Sequence, residues 1–169
     1  PSQLVVSIAA GVSSTSLQRW TSDSQPIVRC MPNTPALLGA GITALFANER
    51  VSAELKGAAQ AVLSAVGKTI WVDDESMLDA VTALSGSGPA YFFYLMEAMI
   101  KAGKAMGLST ESAALLTVET AYGAARMARE GGLPPDRLRQ NVTSPGGTTQ
   151  KALFILDEAD CTGIIGKAL

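Results

Sequence analysis

Gly67-Lys68-Thr69-Ile70-Trp71-Val72-Asp73-Asp74-Glu75-Ser76 is where this chain changes character. Thr69 to Val72 is a β-branched and aromatic run, and the acidic trio Asp73, Asp74 and Glu75 closes it. The trio reads as a solvated linker at a domain junction; cation binding there would need partners from elsewhere. Upstream, strand-like runs alternate with short helical patterns. Leu4-Val5-Val6-Ser7-Ile8, Ile27-Val28-Arg29-Cys30-Met31 and Ile42 to Ala47 are predicted strands. Ser13 to Trp20 is a short helix, and Ala53 to Ala65 an alanine-rich one with Ser52 as N-cap and Gly67 just past its end. Short connections between such elements predict a mainly parallel, two-layer α/β unit over residues 1–74. Gly67-Lys68-Thr69 is not a phosphate-binding P-loop, because Val62 stands where the first glycine is required and the order runs helix to strand.

Downstream the strand signals stop. Helices are predicted over 76–84, from Pro89 to Met106, from Ser109 as N-cap to Glu130, from Pro135 to Asn141 and from Thr148 to Ala159, with Thr162–Leu169 continuing as helix. Residues 75–169 are therefore an all-α domain. In the helix from Pro89, Glu97, Lys101 and Lys104 form one narrow polar stripe and the rest is apolar, which predicts burial on most sides. Glu97 with Lys101, and Arg126 with Glu130, are spaced as structural helix-face pairs.

Composition narrows the function classes. The 169 residues include 13 basic and 15 acidic side chains, two cysteines and no histidine, and 47% are hydrophobic. That is enough apolar material for a core. A net charge of −2 leaves no electrostatic footprint for nucleic acid or an anionic membrane. Without histidine this chain holds no Ser-His-Asp or Cys-His machinery and no imidazole acid/base, and no metal site is predicted. Cys30 and Cys161 read as reduced, mostly buried thiols. The uncharged stretches 30–48 and 80–96 are broken by Pro32, Pro35, Gly39 and Gly41, and by Ser85-Gly86-Ser87-Gly88-Pro89, so neither reads as a membrane span. The first 18 residues lack the basic start of a signal peptide. The expectation is a soluble, cytoplasmic protein. Its mean hydropathy of +0.24 points to a large subunit interface.

The α/β part reads as incomplete. No GxGxxG occurs, the strands are few for an open sheet covered on both faces, and the chain starts at Pro1 almost directly in a strand. The expectation is a fragment lacking the N-terminal half of its first domain.

Three motifs remain. Asn141-Val142-Thr143-Ser144-Pro145-Gly146-Gly147-Thr148-Thr149-Gln150 runs paired glycines into a helical pattern, which places backbone N–H groups and hydroxyls where a small carboxylate could dock. The same composition also reads as an ordinary loop with an N-cap. Ser85-Gly86-Ser87-Gly88-Pro89 could hold a ligand or permit close packing. Met31-Pro32-Asn33-Thr34-Pro35 follows a strand end, where α/β folds place ligand loops, and equally reads as a rigid proline turn.

Together and in this order, these stretches resemble pyrroline-5-carboxylate reductases. Pro135, Leu138, Val142 to Thr149, Ala152-Leu153 and Leu156-Asp157 look like that family's signature block; Asp79 to Tyr91 and Met31 to Pro35 also fit. The resemblance spans essentially the whole chain. It implies the later part of a Rossmann-like dinucleotide-binding domain followed by a helical substrate-binding and dimerisation domain. It implies NADPH- or NADH-dependent reduction of 1-pyrroline-5-carboxylate to L-proline, and self-association through the helices. Carried over motif by motif, Ile8, Ala9, Ala10, Asn33 and Asn141 would contact the cofactor. Glu75, Gly147, Thr148 and Thr149 would bind substrate, and the Thr149 hydroxyl would be the catalytic hydrogen-bond partner of the ring nitrogen. Two other readings compete: a dimerisation module without turnover, and a Rossmann-plus-helical dehydrogenase acting on a hydroxy acid. The latter usually relies on a lysine or histidine acid/base, which Gly146 to Thr149 does not offer.

Overall fold

In the computed structural model, which describes residues 3–169, four strands form one sheet in the order β1-β2-β3-β4. They are β1 (Val5–Ser7), β2 (Ile27–Met31), β3 (Gly41–Ala47) and β4 (Gly67–Trp71). Pro1, which entered the sequence reading, lies outside the described residues.

Helix α1 (Ser14–Trp20) links β1 to a parallel β2, and α2 (Ala53–Ser64) links β3 to a parallel β4. The sheet is mainly parallel, as expected, and the middle pairing is its exception: β2 and β3 are antiparallel, with Cys30 opposite Leu45. The physical reason is the connection. Residues 32–40 hold only a 3₁₀ turn, Thr34–Leu38, and a parallel return needs a crossover of a dozen or more residues.

Val28, Cys30 and Leu45 of the sheet and Ala59 of α2 make the core of this layer, with Leu63 and Trp71 packed against it. Burial pushes the Cys30 thiol up to about 12, so it stays protonated. Cys30 and Cys161 are both free. Ser52 caps α2 by accepting the Leu55 N–H, and the Trp71 indole donates to Gln60 Oε1 at 3.0 Å, tying α2 to β4.

The chain forms two compact units, the first ending at Tyr91 and the second being Phe92–Leu169. The division falls later than the change of character near residue 74, because α3 (Met77–Val81) packs on β2 and β3. A π-helical turn, Thr82–Gly86, follows α3 and leads into α4 (Gly88–Ala105). At Gly86 an added Cβ would lie 2.7 Å from Met31 Cε. The Ser-Gly segment is thus a close-packing site against the end of β2.

The second unit continues α4 and adds α5 (Thr110–Glu130), α6 (Pro135–Asn141), α7 (Thr148–Glu158) and α8 (Cys161–Ala168). Ser109 caps α5 through the Ser112 N–H, and Asp160 caps α8 through the Gly163 N–H at 3.1 Å. The burial predicted for α4 is not made within the chain: Phe92, Phe93 and Tyr94 are 65%, 58% and 75% exposed. Among the described residues Arg126 pairs with Glu130 at 2.9 Å, whereas Glu97 and Lys101 form no ion pair.

Candidate functional site

β1 and β2 run parallel with Ser7 opposite Arg29, so the segments leaving their C-terminal ends emerge on one side of the sheet. That is where open α/β sheets carry ligand crevices. Ile8, Ala9 and Ala10 leave β1 and are exposed, Ile8 by 64%. Two alanines beside one isoleucine offer a small apolar surface that a flat ring can approach. Asn33 leaves β2. Its Oδ1 accepts the Ile42 N–H at 3.0 Å and its carbonyl accepts the Ala36 N–H at 3.1 Å. The side-chain oxygen therefore pins the entry to β3, and the carboxamide NH₂ has no hydrogen-bond partner among the described residues. The loop is both a rigid proline turn and a strand-end platform.

Glu75 sits differently from what the sequence suggests. Its Oε1 accepts the Ser14 N–H at 2.6 Å and an Arg29 Nη1 hydrogen at 2.6 Å; its Oε2 accepts the Ser14 hydroxyl at 2.7 Å. Burial alone would raise its pKa. The hydrogen bonds from the Ser14 hydroxyl and N–H and from Arg29, with the guanidinium charge, outweigh that and hold the carboxyl below its usual range. Both oxygens are engaged inside the first unit. The carboxylate is an internal anchor of the sheet unit, and its Oε2, with one bond, keeps acceptor capacity.

In the second unit, Gly147 is the N-cap of α7, and no side chain caps this helix. The Gly147 N–H donates to Ser144 O at 3.1 Å, and the Gly146 N–H donates to Gln150 Oε1 at 2.7 Å. The expectation that the Gly147 amide faces a ligand is thus corrected: the loop consumes that donor. Among the described residues the N–H groups of Thr148, Thr149 and Gln150 have no protein partner, as the first turn of a helix dictates. Thr148 and Thr149 are exposed, and their hydroxyls stand beside those amides at the positive end of an eleven-residue helix. The arrangement suits a small carboxylate. Asn141 ends α6 and is exposed, shortly before this loop in sequence.

Of the predicted residues, Ile8, Ala9, Ala10, Asn33 and Glu75 belong to the first unit and Asn141, Gly147, Thr148 and Thr149 to the second. Three residues that matter were not singled out from sequence. Arg29 is a lone charge inside an apolar strand, which by itself signals a buried partner. Ser14 stands at a helix start where orphan N–H groups need acceptors. Gln150 is the third residue of α7, where a Gln reaches back to the preceding turn.

The comparisons with known proteins agree along the whole chain. A family model described as pyrroline-5-carboxylate reductase dimerisation matches residues 75–169. The chain is 56% identical over 169 residues to the pyrroline-5-carboxylate reductase of Pseudomonas aeruginosa, covering 100% of this chain and 62% of that protein. It is 48% identical over 168 residues to that of Pasteurella multocida, covering 99% and 61%. Among solved structures, a pyrroline-5-carboxylate reductase from Coxiella burnetii superposes with a TM-score of 0.95 at 47% identity, covering 98% of this chain and 61% of the other. A Plasmodium falciparum pyrroline carboxylate reductase with NADP bound gives 0.90 at 31% identity, covering 98% and 65%. The chain spans about three fifths of the length of the curated relatives it matches.

Proposed function

The chain belongs to the pyrroline-5-carboxylate reductase family, and on that premise we propose that it works in the NADPH- or NADH-dependent reduction of 1-pyrroline-5-carboxylate to L-proline, the last step of proline synthesis, in the cytoplasm. One observation carries the reading furthest: the unpartnered Thr148, Thr149 and Gln150 amides at the start of α7, beside two exposed threonine hydroxyls. These amides hold the substrate carboxylate, with Gly147 shaping the turn beneath it. The Thr149 hydroxyl accepts the hydrogen bond of the protonated ring nitrogen and so orients the C=N bond.

The strand-end residues fit a dinucleotide. Ile8, Ala9 and Ala10 present a bare, small surface, and the Asn33 carboxamide keeps its NH₂ free as a donor. Asn141 is the second unit's own proposed cofactor contact. NAD(P)H, when bound, supplies the hydride that adds to the imine carbon. A protonated cyclic imine is already electrophilic, so the protein's task is placement rather than strong acid catalysis, which suits a chain without histidine. Glu75 stays a proposed substrate-binding residue: its Oε2 accepts one hydrogen bond among the described residues, and a carboxylate has about four acceptor sites. Self-association through the helical unit is supported by the exposed apolar side chains of α4. The 169 residues contain no GxGxxG; expressed alone, they are expected to associate without turnover.

The test is NADPH oxidation followed by absorbance with 1-pyrroline-5-carboxylate and the full-length protein. Thr149→Val should lower kcat/KM by about 10–100-fold, the loss of one oriented hydrogen bond to a charged group. Absence of turnover by the unmodified protein would remove the reading.

A further inference from the structure

We propose that Glu75, Arg29 and Ser14 form a positioning triad that fixes the shape of the strand-end segment 8–13 and thereby the cofactor surface it presents. The argument is geometric. Segment 8–13 hangs between Ser7 and Ser14, and Arg29 controls both ends. Its backbone stands opposite Ser7 in the β1–β2 ladder, and its guanidinium meets Glu75 Oε1 at 2.6 Å. Glu75 in turn grips Ser14 twice, through N–H and hydroxyl, at 2.6 and 2.7 Å. A carboxylate bonded to two atoms of one residue sets that residue's orientation as well as its place.

Between the clamped ends the segment has little of its own to hold it. Its internal polar contacts are Ala9 N–H to Ser7 Oγ at 3.3 Å and the Ser13 contacts that start α1. Ile8, Ala9 and Ala10 have no side-chain hydrogen bonds to make. Their arrangement is therefore inherited from the anchors. The anchors are enclosed: Ser14 is 6% exposed, and the side chains of Arg29 and Glu75 are 13% and 23% exposed. Charge-assisted bonds so placed are little screened by solvent. Glu75 reaches across 61 positions of sequence to do this, so the triad also ties the entry of α3 to the cofactor strand.

The experiment uses the full-length protein and two readouts. In Arg29→Met, NMR order parameters of the backbone amides in 8–13 should fall from about 0.85 to below about 0.6, and the Kd for NADPH measured by fluorescence should weaken about 5–20-fold. Arg29→Lys should largely restore both. Ser14→Ala, which removes one hydroxyl of the triad, should give the same pattern with the Kd weakened about threefold, while its KM for 1-pyrroline-5-carboxylate should stay within twofold. Unchanged order parameters in 8–13 in both Arg29→Met and Ser14→Ala would overturn the proposal. So would a rise confined to the substrate KM in these two variants. The affinity arm rests on the functional reading above and the order-parameter arm does not. A protein that neither binds NADPH nor turns over the imine would sink the function while leaving the order parameters to decide the triad.

Discussion

Gly67→Ala gives the sharpest test of how the strands beside the candidate site are held. Gly67 starts β4 directly opposite Gly41, with φ at +153°. A Cβ built there would sit 2.0 Å from Gly41 O and 2.5 Å from Gly41 C, both backbone atoms of the neighbouring strand. No rotamer change relieves such a contact. The strands must part by about 1 Å to restore a normal carbon–oxygen separation. That breaks a ladder hydrogen bond, about 1 kcal/mol, and forces an L-residue into a glycine-only conformation, about 1–3 kcal/mol. The expected loss is about 2–4 kcal/mol, seen as a Tm lowered by roughly 5–12 °C in thermal unfolding followed by circular dichroism. The displacement falls next to Ile42, whose N–H is bound by Asn33, so the Kd for NADPH should weaken as well. Gly57→Ala is the control: it lies exposed in α2 with nothing within 4 Å of the added carbon. That change should stabilise by up to about 1 kcal/mol. A Gly67→Ala protein within about 0.5 kcal/mol of the parent would refute the β3–β4 register from which the loss is reckoned.

Other expectations follow from particular contacts. Gln150→Leu removes the acceptor of the Gly146 N–H; the KM for 1-pyrroline-5-carboxylate should rise about 3–10-fold, while Tm moves little because water replaces an exposed bond. For Glu75 the folded pKa is lowered, so its stabilisation is complete above the unfolded value of about 4.3 and is lost as pH falls through the folded one. Urea midpoints measured from pH 6 down to pH 3 should drop more steeply for the parent than for Glu75→Gln; parallel curves would contradict the carboxylate's role. Tyr94→Glu, at a side chain 75% exposed on α4, should shift sedimentation toward monomer without altering the helical signal. An unchanged oligomer would place the self-association surface elsewhere.

Much of the fold was legible because its signals are short-range. Ser52 and Ser109 cap the helices they precede, Gly147 opens α7, and the β-branched runs pair as strands. The relative direction of β2 and β3 was not legible, since a parallel and an antiparallel neighbour carry the same local pattern and only the lack of a crossover helix in 32–40 separates them. The candidate site divides in the same way. Paired glycines before a helical pattern, followed by Thr148 and Thr149, announce free amides from sequence alone, because the first turn of any helix leaves its donors unmet. That Gly147 loses its own amide to Ser144 depends on the loop's particular turn.

Glu75 shows where sequence stops. In the linear chain it is the last member of an acidic trio beside a domain junction, and nothing within ten residues marks it out. Residue types and spacing decided which segments become strand or helix, where the amides of α7 stand open, and that these 169 residues supply no imidazole. Tertiary structure alone decided that a carboxylate, a guanidinium and a helix start from three distant segments share one enclosed spot. The physical reason is range: capping and periodicity act over a few residues, whereas a buried charge finds its partner only once the sheet has brought distant backbone together.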